Sequence, residues 1–143
     1  MSNRKVCFFG HSDAPWSIKP KLRKVILDLI DNEGADEFYV GNHGNFDRMA
    51  LSVLSELSET RAFRFYIVLA YPPSEKESPC PDHDILPDGI ENIPPRFAIN
   101  YRNKFMVEAA DIVVTYAKHS WVGAAKYKQP AEKKNRRISE LSA

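Results

Sequence analysis

Short apolar runs alternate with amphipathic stretches along the chain, and this alternation predicts strands separated by helices. The runs "KVCFFG", "EFYVG", "FRFYIVLAY" and "DIVVTY" are typical of strands buried on both faces. Between them, apolar residues recur at helical spacing: Leu22, Ile26, Leu29 and Ile30, then Phe46, Met49, Ala50, Val53, Leu54 and Leu57. Strands alternating with such helices predict a parallel sheet with helices on both faces.

The ends of the predicted helices carry recognisable signals. Pro20 suits the first turn of the first helix, and Gly34 suits its C-cap. The segment "RFAINYRNKFMVEAA" predicts a third helix, whose apolar stripe is expected to contain Phe97, Tyr101, Phe105, Met106 and Ala109. A last helix is expected from near Gly123, with a kink or an end at Pro130.

These elements predict a single α/β domain, Rossmann-like and three-layered, with a mostly parallel sheet of four to five strands. The chain has 143 residues, which suits one domain with one core, and we assign residues 1–143 to it. Residues 72–95 are proline-rich and are expected to form an irregular loop. Residues 135–143 form either an edge strand, in "RRISEL", or a tail.

Composition narrows the class of protein. The net charge of +1 argues against strong nucleic-acid binding, which relies on a basic surface. No apolar run approaches the roughly 20 residues of a membrane helix, and no secretory segment is evident, so we predict a cytoplasmic protein with no membrane partner. The two cysteines do not form a disulfide framework: Cys7 is expected to be buried in a strand, and Cys80 lies in "CPDHD", which lacks zinc spacing.

The candidate ligand-binding residues lie mainly in the turns that follow the predicted strands. In an open parallel sheet, ligands bind beyond the carboxyl ends of the strands, where the strand order reverses. Three glycine-bearing turns follow the first, second and fourth strands, and two of them lead into helices, whose N-termini favour phosphate. The predicted ligand-binding residues are Gly10, His11, Ser12, Asp13, Gly41, Asn42, Gly44, Asn45, Arg102, Thr115, Ser120, Trp121, Gly123 and Ala124.

Several of these residues have a structural alternative. Arg102 either clamps a phosphate at this edge or is a surface arginine paired with Glu108 or Asp111. Trp121 either stacks on a base or covers the core. The histidines of the turns, His11, His43 and His119, are either general bases oriented by Asp13 or Asp47, or surface residues that form hydrogen bonds. No complete dinucleotide fingerprint or Walker A motif is present, and no catalytic residue or metal site is assigned.

Four segments, in order, resemble the SLOG superfamily. They are "FGHSD", "YVGNHGNFDRM", "LAYPP" and "PPRFAINYRNKFMVEAADIVVTYAKHSWVGAAKY", and they span about residues 5–134. The resemblance is to the small, stand-alone, YpsA-like branch found in bacteria and phages. It implies a Rossmann-like fold that binds nucleotides or nucleotide-derived ligands. The superfamily includes the LOG phosphoribohydrolases and the single-strand DNA-binding protein DprA.

The match to the LOG enzymes is incomplete. Arg102, followed by Ala110 and Asp111, matches their arginine and the Ala-Asp that opens the next strand. Lys126 and Tyr127 stand where their catalytic glutamate is expected. The resemblance therefore implies the fold and the pocket without the acid–base group of LOG-type cleavage.

Two further departures concern the last predicted turn. The Pro-Gly-Gly of the LOG loop is absent, with Ala124 at its threonine position, and Val122 replaces the first of two glycines typical of the YpsA-like branch. We predict a non-catalytic sensor, regulator or ligand sponge that binds a nucleotide or an ADP-ribose-like molecule. The alternatives are a nucleotide N-glycosidase, and a module for single-stranded nucleic acid or protein interaction. Homo-oligomerisation is left open.

Overall fold

The computed structural model describes residues 4–42, 44–70, 83–116 and 137–141, without the side chains of 137–140. Its centre is a sheet of six strands, all paired in parallel, in the order β4-β3-β2-β1-β5-β6. The strands are β1 (Arg4–Gly10), β2 (Ala35–Val40), β3 (Arg64–Val68), β4 (Asp84–Ile85), β5 (Ile112–Tyr116) and β6 (Arg137–Glu140). The α/β fold class is confirmed. The sheet has one strand more than expected, because β4 is only two residues long and gives no periodic signal.

Three helices lie in the described residues: α1 (Lys19–Glu33), α2 (Asn45–Leu57) and α3 (Pro95–Ala109). The end of α1 is as predicted, since Gly34 caps it at φ 73° and donates its N–H to the Leu29 carbonyl. Pro20 lies in its first turn. Gly34 therefore defines where α1 ends, and Pro20 is compatible with the place where it begins.

The helices cover the two faces of the sheet, which confirms the three-layer arrangement. On one face, α1 and α2 bury Leu22, Met49 and their neighbours against Phe8 and Phe38 of the strands. On the other face, α3 packs Met106 and Val107 against the strand residues Cys7, Phe9, Tyr39, Val68 and Val113. Cys7 is fully buried as a free thiol, as predicted.

The predicted apolar stripe of α3 is only partly correct: Met106 is buried, and Phe105 and Ala109 pack against the core. Phe97 is 48% exposed, and Tyr101 and Phe105 are only half-buried. Besides Met106, the buried residues of α3 are Ala98, Arg102, Asn103 and Val107, none of which was in the predicted stripe. The helix is therefore rotated so that an arginine and an asparagine face the sheet, which hydrophobic periodicity alone does not predict.

A buried carboxylate lies on the α3 face of the sheet, near the amino ends of the strands. Glu37 of β2 is 6% exposed and accepts a hydrogen bond from Tyr39 Oη at 2.5 Å. Lys5 Nζ of β1 lies 3.6 Å from it, and Arg64 of β3 lies 3.1 Å from it. Burial first, and then the hydrogen bond to Glu37, raise the pKa of Tyr39 far above its ordinary value.

Two predicted segments are only partly described. Of the proline-rich stretch, residues 83–95 contain β4 and a turn of 3-10 helix at Ile90–Asn92, so this part is more regular than expected. The strand expected in "RRISEL" is present as β6, at the edge of the sheet beside β5. The helix predicted near Gly123 and Pro130 lies outside the described residues, as does Cys80.

Candidate functional site

The carboxyl edge of the sheet is where the strand order reverses. The chain runs from β1 through β2 and β3 to β4 on one side, and then returns to place β5 on the other side of β1. Gly10 at the end of β1 lies opposite Tyr116 at the end of β5. The turns after β1 and β2 therefore lie on the same edge, as the sequence predicts.

Arg102 reaches this edge from α3. It is only 5% exposed, so the alternative of a surface arginine is wrong. Its Nε donates to Oδ1 of Asn103 at 2.7 Å, and its Nη1 lies 3.4 Å from the carbonyl of Val68, the last residue of β3. Asp111, its proposed surface partner, accepts the backbone N–H of Lys5 at the opposite end of the sheet.

Gly41, directly after β2, leaves the space that the Arg102 side chain occupies. A methyl group at Gly41 would lie 2.6 Å from Nη1 of Arg102 and 2.7 Å from Oδ2 of Asp47, in the first turn of α2. The missing side chain thus makes room for a guanidinium and a carboxylate within a few ångströms of each other. Asp47 is 8% exposed, so both charged groups are buried at the end of β2.

Gly10 makes room for an aromatic cluster. A methyl group there would overlap the Phe46 side chain, lying 2.7 Å from its Cβ and closer still to two ring atoms. Phe46 stacks on Tyr116, with ring centroids 6.3 Å apart, and His11 meets Tyr116 edge-on at 5.6 Å. His11 is buried, so the reading of His11 as a surface residue is wrong.

The turn after β1 is tied to the start of α2. The N–H of Asn45 donates to the Ser12 carbonyl at 2.8 Å, and its side-chain amide donates to the Ala14 carbonyl at 3.2 Å. Gly44 has φ 90° and ψ 178°, a conformation that essentially only glycine adopts, and its Cα faces Ser12. The N–H of the first residue of α2 is therefore bonded within the protein. Fewer N–H groups remain at this helix N-terminus for the anion that the sequence predicted there.

Not every predicted residue joins these clusters. Ser12, Asp13 and Asn42 are exposed beside them. The predicted residues His43, His119, Ser120, Trp121, Gly123 and Ala124 lie outside the described residues, together with Val122, Lys126 and Tyr127. The part of the site that the structure describes is therefore built from the ends of β1, β2, β3 and β5.

Two hydroxyl groups at the end of β5 are buried without a hydrogen-bond partner within the described part of the chain. They are Oγ1 of Thr115 and Oη of Tyr116. Successive strand residues point to opposite faces. Thr115 therefore lies on the α3 face with Arg102, whereas Tyr116 lies on the face covered by α1 and α2. An unsatisfied buried hydroxyl costs about 1–3 kcal/mol, so both positions favour a polar partner.

The sequence interpretation missed three participants. Asn103, which orients the guanidinium, and Tyr116, which closes the aromatic cluster, gave no motif. Asp47 was considered only as a partner for a histidine, and its place beside Arg102 had no local sequence signal.

Two kinds of feature are absent from the ranges that the structure describes, namely a metal-binding cluster and a membrane-spanning helix. There, no three His, Cys, Asp or Glu side chains come together in a group that could hold a metal ion. None of the helices in the same ranges is long and apolar enough to cross a bilayer. The cytoplasmic location stays a prediction.

Comparison with known proteins places the fold. No protein-family model matches the chain, and no curated protein sequence matches it. Among solved structures, the chain is similar to DNA processing protein A (DprA) from Streptococcus pneumoniae, with a TM-score of 0.75 and 16% sequence identity. The match covers 99% of this chain and 51% of that protein, so the chain spans about half of its length. At this identity the likeness shows a shared fold.

Proposed function

We propose that the protein binds a nucleotide or a nucleotide-derived ligand at the carboxyl edge of its sheet, as a SLOG-type module without LOG-type catalysis. The observation that carries this proposal is the burial of Arg102 at the ends of β2 and β3. A buried arginine needs partners for its charge, and here the guanidinium lies with Asp47 in the space left by Gly41, at the edge where ligands of such sheets bind.

The orientation of Arg102 supports a phosphate-binding role. Asn103 holds Nε, so the guanidinium plane is fixed while its terminal nitrogens lie toward the strand ends. A fixed guanidinium loses less entropy when it forms two parallel hydrogen bonds to an oxyanion. The Thr115 hydroxyl, two strands away from β2 at the end of β5, offers a neutral hydrogen-bonding group on the same face of the sheet.

The finer assignment draws on two similarities. The four SLOG-like segments include Gly41 and Arg102, which are adjacent in the structure. The fold of the chain is similar to that of part of DprA, which the resemblance noted in the sequence counts as a SLOG protein. The proposal of a non-catalytic role rests on Lys126 and Tyr127, which stand where the LOG enzymes have a glutamate.

Isothermal titration calorimetry against nucleoside mono- and diphosphates, cyclic dinucleotides and ADP-ribose tests this function. We expect at least one to bind, and Arg102→Lys to weaken it about tenfold or more, because lysine keeps the charge but cannot bind an oxyanion with two nitrogens. Arg102→Gln should weaken it further.

Arg96→Gln is the matched control, because Arg96 lies exposed in the first turn of the same helix, over the ring of Phe97. It should bind the ligand as the wild type does. Circular dichroism melts establish that each variant is folded. Silence of the folded wild type across the whole panel, or unchanged affinity in both folded Arg102 variants, contradicts the proposal.

A second candidate function is binding of single-stranded nucleic acid, which the likeness to DNA processing protein A favours. The net charge of +1 opposes it, because phosphate neutralisation supplies most of such affinity. A gel shift with single-stranded DNA at two salt concentrations distinguishes the two. A salt-sensitive shift would favour this second function.

A further inference from the structure

Asp47 places a carboxylate at the carboxyl edge of the sheet, where it would repel a ligand that is purely anionic. It lies in the first turn of α2 and is 8% exposed. A Cβ atom added to Gly41 would lie 2.7 Å from Oδ2 of Asp47 and 2.6 Å from Nη1 of Arg102, so the two groups are close to each other. Two charges this close, both removed from water, interact strongly. The end of β2 therefore carries a positive and a negative charge side by side.

The pair of Arg102 and Asp47 restricts which chemical groups of a ligand can contact the carboxyl edge of the sheet. A phosphate oxygen is attracted by Arg102 and repelled by Asp47. A chemical group in contact with Asp47 must instead bring O–H or N–H donors, because an ionised carboxylate only accepts hydrogen bonds. A carboxylate has about four acceptor positions, so it can accept donors of a ligand alongside a partner within the protein. The complementary ligand has donors and an oxyanion close together.

A ribonucleotide has that combination, since its vicinal hydroxyls lie near its phosphate. We propose that Asp47 accepts hydrogen bonds from the ribose hydroxyls of the ligand, and that the site selects ribonucleotides over 2′-deoxyribonucleotides. This inference rests on the proposed nucleotide-binding function. An acidic side chain hydrogen-bonds the ribose 2′-hydroxyl in dinucleotide-binding Rossmann folds, and Asp47 is an acidic side chain at the ligand-binding edge of this sheet, in the first turn of α2.

The test compares AMP, GMP, CMP and UMP with their 2′-deoxy counterparts by calorimetry. For the wild type we expect a preference of about tenfold for the ribonucleotide, since a hydrogen bond to a charged group is worth that much when it is lost. Asp47→Asn should reduce the preference to about twofold or less. It should also leave affinity for the deoxynucleotide unchanged or higher, because a negative charge near the phosphate is removed.

Asp13→Asn is the control, because Asp13 is an exposed carboxylate in the turn after β1 at the same edge. It should keep the wild-type preference. Loss of affinity for both sugars in equal proportion in Asp47→Asn would assign Asp47 a merely structural role and overturn the inference.

The wild-type measurement needs no variant to fold. If the wild type binds ribo- and deoxyribonucleotides equally, through Arg102, ribose selection is wrong and nucleotide binding stands. A preference set by the base, such as for GMP and its deoxy form alike, also overturns it, since Asp47 would then face a base edge. If the wild type binds none of these eight probes, ribose selection fails, while nucleotide binding is judged on the wider panel above.

Discussion

Replacing Gly10 with alanine should destabilise the protein by about 3 kcal/mol, through overpacking at the end of β1. The backbone of Gly10 is not in the left-handed region, so alanine is conformationally allowed there. The cost is steric. The added methyl group would overlap three atoms of the Phe46 side chain, which is 1% exposed and is held by its stacking on Tyr116. Urea denaturation followed by circular dichroism measures the change in unfolding free energy.

A double-mutant cycle isolates this contact. Phe46→Leu alone should also be destabilising, because it leaves a cavity. Combined with Gly10→Ala, it should recover at least about 1 kcal/mol relative to the sum of the two single effects, since leucine vacates part of the space that the methyl group needs. Additive effects, or a Gly10→Ala variant as stable as the wild type, would show that the Phe46 ring moves aside easily.

The sequence pattern predicts where the glycine turns lie, but it does not predict which groups pack against the glycines. Each predicted glycine turn that the structure describes does follow a strand at the carboxyl edge, because strand length and turn residues are local properties. The groups that fill the space over Gly10 and Gly41 belong to the protein itself: Phe46 in one case, Arg102 and Asp47 in the other. Those partners lie far away in sequence, so no local pattern identifies them.

The helices also differ in how well the sequence pattern predicts which residues are buried. In α1 and α2 the apolar stripe is unbroken, and the residues predicted from it are buried, as Leu22 and Met49 illustrate. In α3 the buried face contains Arg102 and Asn103, while Phe97 is left outside. Hydrophobic periodicity assumes that burial follows polarity, and it fails where polar residues are buried for another reason. Such departures concentrate at functional sites.

For the candidate site, Arg102 lies at the carboxyl edge of the sheet as the sequence predicted, its role in binding stays a prediction, and its environment was predicted less well. It treated His11 as either a base or a surface residue, whereas His11 packs against the Tyr116 ring. It offered Asp47 only as a partner for a histidine, although Asp47 lies beside Gly41 with Arg102. The charge balance at the end of β2 depends on three separate segments that come together, and therefore only coordinates reveal it.

The buried bond between Tyr39 and Glu37 should make the protein sensitive to alkali. The pKa of Tyr39 is raised in the folded protein, whereas in the unfolded chain the phenol titrates near pH 10. Folding therefore retains a proton that the unfolded chain releases. The resulting stability is complete below about pH 10 and falls by about 1.4 kcal/mol for each further pH unit, until the folded phenol ionises as well.

Tyr39→Phe removes this contribution. The variant should be less stable than the wild type at pH 8 by about 1 kcal/mol, because the hydrogen bond to Glu37 is lost. Between pH 10 and pH 11 the two unfolding free energies should converge, because only the wild type loses the Tyr39 contribution. Urea denaturation at pH 8, 9, 10 and 11 measures both effects.

Tyr101→Phe is the matched control, since the Tyr101 hydroxyl donates to the backbone carbonyl of Asp88, whereas the Tyr39 hydroxyl donates to a carboxylate. Its unfolding free energy should run parallel to that of the wild type across the same pH range. A constant difference between Tyr39→Phe and the wild type from pH 8 to pH 11 would mean that the phenol ionises equally in both states. The proximity of Glu37 at 2.5 Å argues against that outcome, because a second negative charge there would face a carboxylate that Lys5 and Arg64, largely open to solvent, only partly neutralise.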